Sequence, residues 1–546
     1  MRKEKVFKIL FLILFAAVWV LLFLRCRFGF PSDEALYLLV PYRFINGDIP
    51  VLHEWHPTQI SGMWIHPLVY LFLKINGGTA GIFLAFRYIY TAFWGIFALF
   101  IYYRLRKISD TGAMAASLTL LIYAPYGEMA LYYNTIGIMT LMSALVILVT
   151  AERIKTVQYI AAGFLLAVSV TCCPYLLILY IVLGIIYAVR KELRSFALIT
   201  AGAACAFVLF VIYYVSKSSL SKVLGSIKYL TEDREHQIGF GTKILTYFGS
   251  LLFPSFAAFF IMVIFAVTIM FIKYLKTEKA KMTGFIITVV LVAAMQIDFV
   301  FELNYINCFM FAPLLLGLYS YIFSNSEIIR KLFIFIWIPG LIYSFCLNLS
   351  SNLGISAVTS AASLMTAVSF VMAAVFIKDN TDTKKALAFS LAVLAVFQVG
   401  LQLHIRMNTV FDKTSISNMT ETVENGAVKG IRTTQGRIRY YLIMLKDIEP
   451  LMEDNVDKVL ILSPESWLYL DAEKDIGSYT CWSPFIDEYT VELLKEYYEL
   501  YPDMMPDKVY VESYYTDLVP LMEELGYDRG EPTFLEGNVL TRRNAS

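Results

Sequence analysis

Residues 6–24 read VFKILFLILFAAVWVLLFL, and this stretch decides the class of the fold. It is long enough to cross a bilayer as a helix, which needs roughly 20 predominantly apolar residues. Basic side chains precede it at Arg2, Lys3 and Lys5, and no small-x-small cleavage pattern follows it. We therefore predict an uncleaved first membrane span rather than a signal peptide.

Comparable apolar stretches recur as far as residue 404. Of the 546 residues, 58% are hydrophobic and only 16% are charged, whereas a soluble domain carries about 25% charged residues. The sequence therefore predicts a polytopic α-helical membrane protein with about 13 spans in residues 1–404. The net charge of +1 gives no indication of a nucleic-acid partner. The predicted spans are 6–24, 81–103, 112–127, 132–150, 157–173, 175–189, 195–215, 248–272, 282–301, 306–323, 331–349, 355–377 and 385–404.

Basic residues occupy alternate loops, and loops rich in lysine and arginine face the cytoplasm. The short loops near residues 128, 174, 304 and 352 carry none. This asymmetry predicts a multi-pass protein of the cell membrane with a cytoplasmic N-terminus and, given an odd number of spans, an extracytoplasmic C-terminal tail. The basic residues at the cytoplasmic ends are Arg2, Lys3, Lys5, Arg104, Arg106, Lys107, Arg153, Lys155, Arg190, Lys191, Arg194, Lys273, Lys276, Lys279, Lys281, Arg330, Lys331, Lys378, Lys384 and Lys385.

Two of the predicted outer loops are long. The loop 25–80 holds the acidic pair Asp33-Glu34, the run EWHPTQISG at 54–62 and an apolar segment at 64–75. That segment is too short to span the membrane, so we expect it to lie along the interface. The polar loop 216–247 fits either an amphipathic helix over the outer face or a solvated loop.

The tail from 405 to 546 is a different kind of chain, with short β-branched runs alternating with helical spacing. Such alternation predicts an extracytoplasmic α/β domain with a mainly parallel sheet. Its glycines lack the spacing of a phosphate-binding loop, so nucleotide binding is not supported. The predicted strands are 428–433, 459–462 and 508–512, and the predicted helices are 437–448, 487–501 and 515–525.

The acidic pair Asp33-Glu34 follows Pro31-Ser32, where a new helix is expected to begin. Acidic residues stabilise the first turn of a helix because they complement its dipole, which is one reading of the pair. The other is catalytic, because burial at the membrane surface would raise the pKa of a carboxylate toward that of a useful base. The polar residues that follow are suited to substrate recognition: Glu54, His56, Gln59 and His66.

Two further polar residues belong to the predicted site. Arg87 lies near the outer end of the second span, where an arginine either snorkels to the headgroups or faces a cavity and binds a phosphate with its planar fork. Glu128, in a short turn between two spans, is either a solvated loop acid or a second polar wall of the same cavity. The sequence contains no His/Cys cluster with zinc-site spacing, so we predict no zinc site.

These features resemble the GT-C superfamily of membrane glycosyltransferases, in particular the protein O-mannosyltransferase and lipid A aminoarabinose transferase group. The resemblance rests on the first span, the acidic pair in a long first outer loop, His66-Pro67-Leu68 and Arg87. Asn304-Tyr305 followed by Pro313 is similar to the Arg-Tyr…Pro pattern of those enzymes, with an asparagine in place of the arginine. The resemblance covers the layout of about residues 1–320, and the tail matches no member.

The resemblance implies an inverting transferase that takes a sugar from a polyprenyl-phosphate donor in the membrane. The acceptor would be a hydroxyl group of a glycan, lipid or protein at the outer face. Asp33 would be the base, Arg87 would stabilise the departing phosphate, and Tyr305 would contact substrate. Glu34 would orient the acceptor or help to hold a divalent cation, which some relatives use and others do not.

Two other functions fit a chain of this kind. A flippase or exporter of lipid-linked oligosaccharides has a dozen or so spans, but it should show internal repeats and broken central helices at matching positions. The sequence shows no convincing repeat. A polysaccharide polymerase or ligase that works without the acidic pair is the other alternative.

Overall fold

The computed structural model describes residues 2–150, 155–231, 239–302, 310–351, 354–379, 384–410, 414–482 and 486–543. As far as Asn408 they form helices joined by loops, and a mixed α/β domain follows. Among the described helices, nine are long and apolar enough to cross a membrane, and four more apolar helices are shorter. This is the architecture of a helical membrane protein, while the number of about 13 spans stays a prediction.

Every span predicted before residue 216 corresponds to a helix. The two predicted spans on either side of Pro174 are separate helices, because Cys173 is extended (φ −144°, ψ 94°), as the residue before a proline prefers. Three further helices, α2, α3 and α4, lie in the loop 25–80. The helices of this part of the chain are α1 (Arg2–Arg25), α2 (Glu34–Ile45), α3 (Gln59–Gly62), α4 (His66–Asn76), α5 (Ile82–Leu105), α6 (Asp110–Ile122), α7 (Tyr133–Thr150), α8 (Thr156–Cys172), α9 (Leu177–Val189) and α10 (Leu193–Val215).

The prediction of one continuous span over 248–272 is wrong. The structure divides it at Pro254, since Phe253 leaves the helical region and the Ser255 side chain caps a new helix by accepting from the Ala258 N–H at 2.9 Å. The predicted span 355–377 is likewise two helices. The second set is α11 (Leu220–Ser226), α12 (Phe240–Leu252), α13 (Phe256–Leu275), α14 (Glu278–Glu302), α15 (Leu314–Phe323), α16 (Glu327–Leu332), α17 (Ile338–Ser350), α18 (Ile355–Ser360), α19 (Ala362–Asp379) and α20 (Lys384–Asn408).

The two long loops that the sequence assigns to the outer face contain short helices. In loop 25–80, α4 has 11 residues and exposes Tyr70, Leu71 and Ile75, so it is too short to span, as the sequence predicts. In loop 216–247, α11 and the beginning of α12 are helical, and residues 232–238 lie outside the described ranges. The apolar side chains exposed on these helices favour an interfacial position, which stays a prediction.

The tail forms a small α/β domain, but the prediction of a mainly parallel sheet is wrong. In the five-stranded sheet of order β4-β3-β5-β7-β6, two of the four strand pairs are parallel, β4 with β3 and β3 with β5, and the two pairs that β7 makes with its neighbours are antiparallel. The tail contains β1 (Glu421–Thr422), β2 (Arg432–Thr433), α21 (Gln435–Asp447), β3 (Lys458–Leu462), α22 (Leu468–Ala472), β4 (Asp475–Ile476), α23 (Glu488–Leu500), β5 (Lys508–Val511), α24 (Val519–Glu524), β6 (Tyr527–Pro532) and β7 (Asn538–Arg542).

This domain packs directly on the loops assigned to the outer face. The Thr79 hydroxyl donates to the Leu470 carbonyl at 2.6 Å, and the Gly81 N–H donates to the Gly426 carbonyl at 3.0 Å. The Trp55 ring of the first long loop stacks on Tyr229 of the second at a centroid distance of 4.0 Å. The two long loops and the tail therefore lie on the same side of the helical domain.

Candidate functional site

The acidic pair lies where α2 begins. Asp33 is the residue before the helix, and within the described part of the chain its carboxylate makes no capping bond to the first turn. The side chain is instead hydrogen-bonded to Glu128, which reaches it from the turn between α6 and α7. Capping of α2 therefore does not explain the position of the Asp33 carboxylate.

Glu34 forms a buried ion pair with Arg87 of α5. The Arg87 Nε is 2.8 Å from Glu34 Oε2, and its Nη2 is 2.9 Å from Oε1, so both carboxylate oxygens accept from the guanidinium. The third nitrogen, Nη1, donates to the Gly29 carbonyl at 2.8 Å and reaches the Cys26 carbonyl at 3.2 Å. Arg87 therefore neutralises Glu34 and holds the chain between α1 and α2.

These contacts bear on the role predicted for Arg87. The side chain is 2% exposed and faces protein, so it does not snorkel to the headgroups. A direct bond from Arg87 to a lipid phosphate would require it to exchange one of its present acceptors. That contact stays a prediction.

Glu128 is the third carboxyl group of this cluster. It is 2% exposed and follows a strained turn, in which Tyr126 has φ 56° and Gly127 has φ 81°. Burial raises the pKa of Glu128 well above its usual value, and the charges of Asp33 and Glu34 raise it further. The structure thus places Glu128 against the acidic pair, with its protonated form favoured.

Three tyrosines pack against one another beside the acidic cluster. Tyr37 of α2 stacks on Tyr132 with ring centroids 4.4 Å apart, and Tyr133 meets Tyr37 edge-on at 6.0 Å. The rings give the carboxyl groups an apolar wall, which excludes water from one side of Glu128. Exposure then separates the three acids: Glu34 and Glu128 are buried, whereas Asp33 is partly exposed.

Two arginines that the sequence analysis did not select support this cluster. Arg25, at the end of α1, donates to the carbonyls of Phe28 at 2.7 Å, Thr409 at 2.8 Å and Arg406 at 2.9 Å. Arg406, at the end of α20, donates to the Gly127 carbonyl at 2.8 Å and so holds the turn that carries Glu128. Both are at most 4% exposed. In the sequence they look like ordinary basic residues at the ends of spans.

Glu54 and Gln59 lie in a separate polar network. Glu54 is fully buried, and its Oε2 accepts from Arg43 Nη1 at 2.7 Å and from the Cys481 N–H of the tail at 3.0 Å. The Gln59 side chain accepts from the Val51 N–H at 2.8 Å. These bonds fix the first outer loop and join it to the tail domain.

The remaining predicted residues are placed as follows. His56 Nδ1 lies 2.6 Å from the Thr58 hydroxyl, on the wall of a cavity beside the acidic cluster. His66 Nδ1 lies 2.7 Å from the Tyr213 hydroxyl of α10. Tyr305 lies outside the described residues. Contact of any of these side chains with substrate stays a prediction.

The cluster does not fit a divalent cation. Both oxygens of Glu34 accept from Arg87, which leaves Glu34 no free carboxylate oxygen for a hard cation in this arrangement. Across the described ranges, no group of three or more His, Cys, Asp or Glu side chains is arranged to hold a metal ion. We therefore derive no catalytic step from a metal.

Taken together, the geometry gives a partly exposed carboxylate, a protonated neighbour and a neutralised ion pair at the junction of α1, α2, α5 and α20. Neither protein-family models nor curated protein sequences gave a significant match.

Proposed function

We propose that this protein is a membrane glycosyltransferase that moves a sugar from a polyprenyl-phosphate donor to an acceptor hydroxyl at the outer face of the cell membrane. The observation that supports it best is that the three carboxyl groups of the cluster differ in exposure and in their partners. Asp33 alone of the cluster is partly exposed, while Glu128 donates a hydrogen bond to it and Arg87 neutralises Glu34. A general base must be reachable by the substrate, and Asp33 is the member of the cluster that is partly exposed.

The three carboxyl groups form one electrostatic unit. Carboxylates this close cannot all be ionised, because each negative charge raises the pKa of its neighbours. Arg87 offsets part of the charge of Glu34, and burial favours the protonated form of Glu128. We therefore assign the role of the base to Asp33.

The reaction is a single displacement. The Asp33 carboxylate takes the proton of the acceptor hydroxyl while that oxygen attacks the anomeric carbon of the donor. The bond between this carbon and the phosphate oxygen breaks, and polyprenyl phosphate departs with the electron pair. Attack opposite the leaving group inverts the anomeric configuration. Because the donor is a lipid, the reacting carbon is brought to the membrane surface, where the cluster lies.

The proposal is tested by incubating the purified protein in lipid with polyprenyl-phosphate sugars labelled in the sugar. We expect the label to leave the lipid for at least one donor when membrane extract supplies acceptors. Retention of the label on every donor would contradict a transferase. Movement of intact donor across a vesicle without loss of the sugar would favour the flippase instead.

The orientation can be tested independently. The loop charges and the packing of the tail on the two long loops support an extracytoplasmic tail. A periplasmic alkaline phosphatase reporter fused after residue 546 should therefore be active in a bacterial host. An inactive reporter, together with an active cytoplasmic one at the same position, would reverse the orientation and every outer-face role.

The protonation of Glu128 predicts a pH-dependent stability. Its pKa is raised in the folded state, so the folded state binds the proton more tightly than the unfolded chain does. This stabilisation is present at acidic pH and is lost as the pH rises from the unfolded pKa toward the folded one. Glu128→Gln keeps a donor that cannot titrate. Its thermal midpoint relative to that of the unmodified protein should therefore rise as the pH increases above the ordinary pKa of a glutamate. If the difference between the two thermal midpoints does not change with pH, the Glu128 carboxyl group is solvated and its pKa is not raised.

A further inference from the structure

A cavity of about 110 Å³ lies near the acidic cluster, and no step of the proposed reaction uses it. It lies between the first outer loop, the beginning of α7 and the outer ends of α8 and α17. We call it the Asn134 cavity. Most of its wall is apolar, and the polar side chains in the wall include His56, Thr58, Tyr133, Asn134, Thr171 and Ser350. A cavity of this size takes several water molecules or a group of several heavy atoms.

Asn134 is the residue that points to a ligand. The side chain is 1% exposed, and within the described part of the chain neither its carboxamide oxygen nor its nitrogen has a hydrogen-bond partner. Burying a polar group without a partner is costly, so such groups are rare in folded proteins. The carboxamide is also not needed for capping α7, because the Thr135 hydroxyl accepts from the Tyr132 N–H at 2.9 Å.

The cavity adjoins the cluster through two tyrosines. Tyr133 lines the cavity and also meets Tyr37, in the first turn after Asp33. Tyr126 lines it as well and lies two residues before Glu128, in the strained turn. These tyrosines therefore separate the cavity from the acidic cluster by a single layer of side chains, Tyr126 and Tyr133 on the cavity side and Tyr37 behind Tyr133.

We propose that the Asn134 cavity binds the hydroxyl groups of a sugar ring and that Asn134 is a specificity-determining residue. A carboxamide both accepts and donates, so it can pair with two neighbouring ring hydroxyls, one donating to its oxygen and one accepting from its nitrogen. The inference rests on the proposed transferase function for its biological meaning. The sugar comes from one of two sources, the donor or a glycan acceptor, which share this chemistry.

The test measures binding of free sugars to the purified full chain by saturation-transfer NMR. The probes are glucose, mannose, galactose and N-acetylglucosamine. We expect at least one to bind and Asn134→Leu to weaken its binding about tenfold or more, because the bound hydroxyls lose their partners. Binding of no probe, or equal binding by Asn134→Leu, would overturn the proposal.

Thermal unfolding separates a ligand-binding role from a structural one. Asn134→Leu removes two unpartnered polar atoms, so its thermal midpoint should stay equal or rise. The matched control is Asn348→Leu, a buried asparagine whose nitrogen donates to the Lys243 carbonyl at 2.7 Å. The control should unfold at a lower temperature and still bind sugar. A lowered midpoint for Asn134→Leu would show that the carboxamide is structural and overturn the proposal.

Competition distinguishes the two sources of the sugar. A polyprenyl-phosphate sugar that displaces the bound monosaccharide, where polyprenyl phosphate alone does not, assigns the cavity to the donor. Simultaneous binding assigns it to the acceptor. The inference and the proposed function can fail separately. Sugar binding that depends on Asn134, without any sugar transfer, would contradict only the proposed transferase function. Sugar transfer that Asn134→Leu leaves unchanged would contradict only the role inferred for Asn134.

Discussion

Asp33→Asn is expected to lower the rate of sugar transfer by about 10² to 10⁴, the usual contribution of a general base. Asparagine has nearly the same shape but cannot accept the proton, so the acceptor oxygen stays a weak nucleophile. Binding of the lipid donor should be unchanged, because the base is not a donor contact in this mechanism. Single-turnover rates and donor affinity are measured on the same preparation.

Asp110 provides a matched control, because it lies near the beginning of α1, whereas Asp33 follows the end of that helix. Asp110 begins α6, and its carboxylate pairs with Lys8 of α1 at 2.9 Å. Asp110→Asn makes the same chemical change far from the cluster and should leave the transfer rate within about twofold of the unmodified value. If Asp33→Asn behaves like this control, the acidic pair has no catalytic role.

The second large effect is on stability. Arg87→Ala would leave Glu34 buried without its partner, and breaking a buried ion pair costs about 3–5 kcal/mol. The same change leaves the Gly29 carbonyl without its donor. We expect a marked fall in the thermal midpoint, together with weaker donor binding if Arg87 also reaches the phosphate.

A double substitution isolates the charge. Arg87→Met with Glu34→Gln removes both charges and should recover most of the stability that Arg87→Ala loses, since no uncompensated carboxylate remains. The exposed Arg27, whose Nε bonds to the Tyr88 hydroxyl at 3.0 Å, provides the control, and Arg27→Ala should have little effect. Equal stability of Arg87→Ala and Arg27→Ala would contradict the buried pair.

Most of the helices could be predicted from the sequence, because hydrocarbon forces the backbone into long apolar helices that hydropathy detects. The break at Pro254 was overlooked although its signal is local, since the residue before a proline avoids the helical region. Hydropathy averaged over a span conceals one residue of this kind. In the tail, β6 was missed because YDRGEP is almost wholly exposed and lacks the alternation of a half-buried strand.

The candidate site could be predicted only in part. Asp33 and Glu34 are visible as an acidic pair, but the roles that separate them depend on partners distant in the chain. Glu34 pairs with a residue 53 positions away, and Arg25 reaches carbonyls more than 380 positions away. No periodicity encodes such contacts. Asn134 offered no local signal at all, because its significance lies in the partners it lacks among the described residues.

The central claim is tested most directly by transfer itself, with unmodified and Asp33→Asn proteins reconstituted in the same liposomes. Both receive a polyprenyl-phosphate sugar labelled in the sugar and of known anomeric configuration, with an acceptor fraction outside. The account predicts release of label by the unmodified protein, a product of inverted configuration, and release by Asp33→Asn that is at least about 10² slower. Equal release by the two proteins, a product of retained configuration, or no release by either would contradict it.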